Sequence, residues 1–221
     1  AVEIGGVARA LDDEWRDRIE ALQEQYAKDG FRLLGVAVKS VPDHQTRVGL
    51  ADESDLTLVG FCVFADPPKP DAAEAVASLA ASGIRLKIIS GDHAAVVSHV
   101  AAAVGLRSRR ILTGVEIDQL ADSGLLAKVD EVDLFARVDP GQKRRIIQAL
   151  RLRGHVVGFL GDGINDAPAI HAAHVGLSVS GATEVARAAA DMILLAQDLS
   201  VLEAGVREGR RTFANILTYV R

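Results

Sequence analysis

The sequence predicts an α/β protein built on a parallel β-sheet. Beyond Asp66, short apolar runs alternate with helical stretches of ten or so residues, which is the rhythm of βαβ units. Aromatic residues make up only 4% of the chain against a large excess of Ala, Val and Leu, a balance that disfavours an aromatic-rich β-sandwich. Polar, glycine-containing clusters follow several of the apolar runs, where open α/β sheets place their ligands.

Each element has a local justification. Leu11, Trp15, Ile19, Leu22 and Tyr26 recur at helical spacing behind Asp12, Asp13 and Glu14, acidic residues that suit a helix N-terminus, and Gly30 ends that helix. Phe31 to Lys39 reads as a strand, Val41 to Ser54 as a polar loop and Leu56 to Ala65 as a second strand. The run Asp66-Pro67-Pro68-Lys69-Pro70 stops it, because each proline removes a donor and restricts the residue before it. A helix over 71–81 then leads to a strand over Arg85–Ser90. Val96, Val97, Val100, Ala101 and Val104 mark the next helix, closed by Gly105. Strands are expected at 134–138, 156–160, 175–179 and 192–195, with helices at 141–153, 166–173 and 183–190. Leu199, Leu202, Val206, Phe213, Ile216 and Val220 lie on one stripe of a final amphipathic helix, with Arg207, Arg210, Arg211 and Arg221 off it. That helix has no C-cap and reads as cut.

Composition bounds the function. A chain of 221 residues, 49% apolar and 25% charged, is globular and long enough for a real core. A net charge of −5 gives no electrostatic reason to expect nucleic acid. Cys62 is the only cysteine, which excludes an internal disulfide and a cysteine-based zinc site and fits a reducing compartment. The longest nearly apolar run, Leu56–Ala65, has half of the roughly 20 residues a membrane-crossing helix needs, and no signal peptide is expected.

The strongest chemical signal is Gly161-Asp162-Gly163-Ile164-Asn165-Asp166 at the end of the 156–160 strand. Two carboxylates four residues apart on a glycine-permitted turn can place hard oxygens around Mg²⁺ while backbone amides face a phosphate. Asn165 can donate its amide to a phosphate oxygen. A turn chosen only for its backbone angles explains the glycines, but not why the polar residues gather where such a sheet puts its site. Ser90-Gly91-Asp92 ends another strand, where a hydroxyl and helix-opening amides can hold a phosphoryl group; a plain N-cap at Ser90 or Asp92 is the simpler alternative. Lys143, in the first turn of the helix opened by Asp139-Pro140-Gly141-Gln142, opposes the helix dipole and makes more sense facing phosphate, a solvated surface lysine being the other reading. His171 and His174 lack a third ligand nearby and read as surface histidines.

A serine, a lysine and an aspartate pair on successive strand ends resemble motifs two, three and four of the haloacid-dehalogenase superfamily. The strings DPPK, SGD, DPGQK, GFLGDGINDAPAI and DMILLAQDLSVLEAGVREGRRTFANI are similar to the cytoplasmic part of P-type ATPases, most similar to the magnesium-transporting group, and the resemblance covers almost all of the chain. It implies a Rossmann-like parallel sheet of the haloacid-dehalogenase type that lacks the nucleophile strand, with a small N-terminal α+β remnant. By that resemblance, 1–65 is the end of a nucleotide-binding domain and its return strand, 66–198 the phosphorylation domain and 199–221 a stalk helix leading towards the membrane.

The implied activity is ATP hydrolysis coupled to ion translocation, with an aspartate phosphorylated and then dephosphorylated. Asp162 and Asp166 match the Mg²⁺-site aspartates, and Ser90, Lys143 and Asn165 match the groups that stabilise the transferring phosphoryl. Ser90, Gly91, Asp92, Lys143 and Asn165 would contact the phosphate or nucleotide. Mg²⁺ and ATP are the implied cofactors, a transported cation the implied partner, and the cytoplasmic face of the cell membrane the implied location.

Departures from the pattern also carry expectations. The nucleophile motif D-K-T-G-T and the nucleotide motif K-G-A occur nowhere in the chain, Ser90 stands where threonine is usual, and His93 and His174 replace common residues. Asp66 is no substitute nucleophile, because Pro67 and Pro68 cannot supply the backbone amides that chemistry needs. The expectation is therefore a C-terminal piece of a larger pump, inactive alone, whose sheet has unpaired edges where the nucleophile strand is missing. The alternatives are a stand-alone, catalytically inert domain of the same superfamily that binds Mg²⁺ or a partner, and an active soluble phosphatase.

Overall fold

The computed structural model describes the chain apart from Asp43, His44, Thr46, Arg109, Gln197 and Arg221. Three of these lie in the expected 41–54 loop, and Arg221 belongs to the expected arginine face of the last helix. The chain divides into two compact units, Ala1–Pro67 and Pro68–Arg221.

Among the described residues, the first unit is a four-stranded sheet with one α-helix and a 3₁₀ turn at Leu50–Asp52. Strands β1 (Val2–Ile4) and β2 (Val7–Arg9) form an antiparallel hairpin that the sequence reading had not identified. Its turn is Gly5-Gly6, both at positive φ (58° and 80°), the combination that two-residue hairpins favour. Helix α1 (Asp13–Lys28) begins at Asp12, whose side chain accepts the Trp15 N–H, and ends before Gly30 at φ 83°. Strands β3 (Phe31–Val38) and β4 (Thr57–Ala65) pair antiparallel with an irregularity at Val36/Ala37, and β1 joins β4 in parallel, giving the order β2-β1-β4-β3. Tyr26 of α1 meets Phe31 of β3 edge to face, with ring centroids 6.0 Å apart.

The second unit is the α/β part. Its elements are α2 (Ala72–Ala81), β5 (Ile88–Ile89), α3 (Ala94–Ala103), β6 (Ile111–Thr113), α4 (Gly114–Asp118), α5 (Asp122–Lys128), β7 (Leu134–Ala136) and α6 (Pro140–Leu152). There follow β8 (Gly158–Leu160), a 3₁₀ turn at Ile164–Asp166, α7 (Ala167–Ala172), β9 (Val175–Val179), α8 (Glu184–Ala189), β10 (Met192–Leu194) and α9 (Ser200–Val220). Every strand pair is parallel. Among the described residues the strands form two three-stranded sheets, β5-β7-β6 and β10-β9-β8, so β5, β6, β8 and β10 each have a strand neighbour on one side only.

One core joins the two half-sheets. Leu112 and Phe135 from the first pack in the same cluster as Phe159 from the second, together with Val138 and Val157 beside those strands, Ile146 and Ile147 of α6 and Ile170 of α7. Phe135 and Ile146 are fully enclosed, and each such side chain contributes roughly 2 kcal/mol of hydrophobic stabilisation. Helix α9 is tied to this unit at its start and its middle: Leu199, just before the helix, packs against Ala72, Val76 and Val104, and Arg210 donates to the Ser82 carbonyl at 2.6 Å.

Several sequence-derived bounds move. The strand expected at 85–90 contracts to Ile88–Ile89, the two residues that pair with β7, at Leu134 and Phe135. The strand expected at 134–138 stops at Ala136, since Arg137 turns to φ 51° and its N–H donates to the Asp92 carbonyl. Strand β6 and helices α4 and α5 fill the interval between α3 and β7, where the sequence alone predicts no element.

Candidate functional site

The turn after β8 is built on close approach. A Cβ on Gly161 would lie 2.5 Å from Cβ of Asp166, so only glycine lets the chain pass there. Asp166 is turned inward: its Oδ2 accepts the N–H groups of Asp162 (3.3 Å) and Gly163 (3.1 Å), and its Oδ1 accepts the Lys143 ammonium at 2.7 Å. The side chains of Lys143 and Asp166 are 12% and 13% exposed, so this ion pair is shielded from solvent. Asp162 and Asn165 are exposed, and neither side chain has a hydrogen-bond or ion-pair partner among the described residues.

Lys143 is placed by the start of α6. Asp139 caps the helix by accepting the Gln142 N–H at 2.8 Å, the Gln142 side chain accepts the Asp139 N–H at 2.9 Å, and Pro140 opens the first turn. Gln142 is buried, and its amide also donates to the Gly114 carbonyl at 3.1 Å, which anchors α6 to the beginning of α4. A Cβ at Gly114 would lie 2.2 Å from the Arg137 carbonyl oxygen, so these two backbones also need a glycine between them.

The Ser90-Gly91-Asp92 loop leaves β5 beside the same helix start. The Ser90 hydroxyl donates to Asp92 Oδ2 at 2.7 Å and accepts the Asp92 N–H at 3.1 Å. The carbonyls of Ser90 and Asp92 accept the N–H groups of Val138 and Arg137. Neither Ser90 nor Asp92 caps the following helix; His93 does, its Nδ1 accepting the Ala95 N–H at 3.2 Å. A continuous bonded path therefore runs from the serine loop through Arg137–Asp139 to Lys143 and on to the Gly161–Asp166 turn. It joins the carboxyl ends of the two half-sheets.

These groups offer hard oxygens. Mg²⁺ is held by one or two carboxylates together with water and phosphate oxygens rather than by an all-protein cage, and Asp162 with Asp166 supplies such a donor set. Among the described residues, no group of three or more His, Cys, Asp and Glu side chains converges as a metal cage. His174 is engaged structurally, its Nδ1 accepting the Val157 N–H at 3.2 Å.

Sequence reasoning missed the residues that hold this turn from β9 and beyond. Ser178, fully buried on β9, donates its hydroxyl to the Gly161 carbonyl at 2.8 Å. Thr183, the N-cap of α8, donates both its N–H (3.0 Å) and its hydroxyl (3.2 Å) to the Asp162 carbonyl. The available signals were a serine at the inward position of an otherwise apolar strand and a threonine at a helix start.

Comparison with known proteins agrees with this architecture. Over 211 residues the chain is 47% identical to the Escherichia coli protein named Magnesium-transporting ATPase, P-type 1, a match covering 96% of this chain and 24% of that protein. It is 46% identical to the Salmonella typhimurium protein of the same name, with 96% of this chain and 23% of the relative covered. The Mycobacterium tuberculosis protein named Probable cation-transporting ATPase F is 38% identical over 229 residues, 97% of this chain and 24% of its own length. The chain thus spans about a quarter of the length of these relatives. A profile described as haloacid dehalogenase-like hydrolase matches residues 5–174, which takes in every strand of the second unit up to β8 together with the serine loop, Lys143 and both turn aspartates. By that match and by its parallel α/β architecture, the chain belongs to the haloacid dehalogenase-like hydrolase family.

Proposed function

We propose that these residues form part of the cytoplasmic catalytic portion of an ATP-driven cation pump of the P-type, located at the cell membrane and transporting Mg²⁺. The observation that carries this reading is the shielded Lys143–Asp166 pair, which ties the lysine helix to the turn and leaves the Asp162 carboxylate exposed beside it. The identity to magnesium-transporting and other cation-transporting ATPases over nearly the whole chain supports the choice of pump and of ion. In this reading, 1–65 closes a nucleotide-binding domain, 66–198 is the phosphorylation domain, and 199–221 is a stalk helix leading towards the membrane. Among the described residues no helix is long and apolar enough to cross a membrane.

Phosphoryl transfer asks a protein mainly for positioning and electrostatic stabilisation. Asp162, with Asp166 behind it, would hold Mg²⁺, which when bound supplies positive charge against the phosphoryl oxygens. Lys143 brings a second positive charge, already oriented by Asp166. The Ser90 hydroxyl, now donating to Asp92, can turn its proton to a phosphoryl oxygen, and the Asn165 amide, without a partner among the described residues, can do the same. Gly91 and Asp92 contribute the backbone of that loop. The phosphorylated aspartate itself would come from a strand outside these residues, and the one-sided pairing of β5 and β8 leaves two parallel edges suited to receiving it.

The test is formation of an acid-stable phosphoenzyme by the full-length transporter. Asp162→Asn and Asp166→Asn should reduce it at least about hundredfold, equivalent to about 2.7 kcal/mol, whereas His171→Ala leaves it unchanged. A normal phosphoenzyme in Asp162→Asn overturns the metal assignment. The 221-residue chain alone should form none, and a phosphoenzyme from it would overturn the assignment of the nucleophile to another segment.

A further inference from the structure

We propose that Ser178 and Thr183 are positioning residues that aim the Asp162 carboxylate at a bound divalent cation by clamping the peptide groups on both sides of its Cα. The proposal rests on the reading that Asp162 holds Mg²⁺, and it assigns to β9 and the start of α8 a part in that site.

The peptide unit joining Gly161 to Asp162 is held at both of its polar ends. Its carbonyl accepts the Ser178 hydroxyl at 2.8 Å, and its N–H donates to Asp166 Oδ2 at 3.3 Å. The next unit, between Asp162 and Gly163, is held the same way. Its carbonyl accepts the Thr183 N–H and hydroxyl at 3.0 and 3.2 Å, and its N–H donates to Asp166 Oδ2 at 3.1 Å. Two peptide planes fixed in this way leave the backbone angles of Asp162 little freedom, so its Cα–Cβ direction is set before any ligand arrives. The carboxylate is nonetheless exposed and has no partner among the described residues, an arrangement that serves an external partner better than it serves the fold.

Ser178 has no other evident task. Strand β8 ends at Leu160 and the Gly161 N–H makes the last bond to β9, at the Leu177 carbonyl, so the Gly161 carbonyl lies beyond the regular ladder. The hydroxyl on the next residue of β9 supplies the donor that the departing backbone lacks. It does so at 0% exposure, where water cannot substitute. Thr183 does two things at once, since its hydroxyl also accepts the Ala186 N–H at 3.3 Å as the cap of α8.

The experiment is a titration of the 221-residue chain with MgCl₂, followed by backbone amide shifts at Gly161–Asp166 and by hydrogen exchange of the Asp162 amide. The wild-type amides should move saturably, and Asp162→Asn should abolish that response. Ser178→Ala and Thr183→Val should each raise the apparent Mg²⁺ dissociation constant about ten- to hundredfold, the usual cost of losing a group that orients a metal ligand. Both should speed exchange at the Asp162 amide, and Thr183→Ser should restore wild-type binding. Ile117→Val, which trims the core of the same unit far from the turn in sequence, should leave the dissociation constant unchanged and so separates aim from stability. If Ser178→Ala does not fold, the exposed Thr183 variants decide the matter alone. Wild-type affinity in folded Ser178→Ala and Thr183→Val overturns the positioning role while leaving the metal reading intact. A wild-type chain whose turn amides ignore MgCl₂, or an Asp162→Asn chain that responds like wild type, overturns the metal reading and the positioning role with it.

Discussion

Among the described residues, Val2 and Ala27 are the buried apolar side chains of the unit Ala1–Pro67, whereas the unit Pro68–Arg221 holds all the others, from Ala72 to Ala186. Both units draw on similar apolar runs, so the difference lies in how many faces get covered. In the first unit α1 packs against β3, with Phe31 against Tyr26. On the alternate positions of β3 and β4, Leu34 (61% exposed), Val38 (50%) and Phe64 (51%) remain open. In the second unit the helices α4 to α8 share one core with the strands of both half-sheets. A strand that is apolar on both faces states that it needs two covers, but not whether the chain in hand supplies both.

The largest test of this contrast is Phe135→Ala. Emptying a fully enclosed aromatic site should cost about 3–5 kcal/mol. Trp15 is the only tryptophan and lies in the first unit, so its fluorescence and the far-UV dichroism report different parts of the molecule during urea unfolding. The expected outcome is a lower dichroism midpoint for the second unit with the Trp15 transition unmoved. Equal shifts in both signals break the comparison and make the two units one cooperative body.

A smaller effect should follow from Asp130. Hydrogen bonds from His155 at 2.7 Å and from Arg153 at 2.6 Å hold its carboxyl below the ordinary value of 3.8, and together they fasten the end of α6 to the segment before β7. A depressed carboxyl contributes stability that is fully present above its unfolded value and is lost as pH falls through its folded one. The second unit should therefore lose stability as acid takes the pH below about 3.8, and Asp130→Asn should flatten that part of the profile. An unchanged acid limb in Asp130→Asn denies the cluster any part in the stability of this unit.

The smallest effect is expected in the first unit. Phe64→Ser at a half-exposed position should change stability by less than about 0.5 kcal/mol. It should also reduce self-association in sedimentation at high protein concentration, because an open apolar sheet face is adhesive. A loss comparable to that of Phe135→Ala would mean that the face is covered after all.

Much of the second unit was legible because helix signals are local. Asp139-Pro140-Gly141-Gln142 contains an N-cap, an N1 proline and a capping-box partner, and α6 begins there. The 111–113 strand was invisible for the opposite reason: three residues carry no period, and they form a strand only because β7 runs beside them. The Gly5-Gly6 hairpin did carry a local signal, but its strands are equally short.

The candidate site divides along the same line. Ser90, Lys143, Asp162, Asn165 and Asp166 could be picked out because each follows a strand end or opens a helix, positions that chain order reveals. The sequence also implied unpaired edges, and among the described residues the second unit has four edge strands, β5 and β6 in one half-sheet and β8 and β10 in the other. Chain order could not distinguish the two aspartates of the turn. Asp166 is an internal brace, engaged by Lys143 and two backbone amides, while Asp162 faces outward with no partner among the described residues. Nor could it select Ser178, whose hydroxyl matters only because β9 lies in register with β8, with Leu177 opposite Leu160. The sequence by itself determined the fold class, the family and the residue types gathered at the strand ends, since these rest on periodicity and short-range motifs. Tertiary structure alone decided which turn carboxylate is bonded inside the fold and which stays exposed, because hydrogen bonds between segments far apart in the chain depend on register and packing.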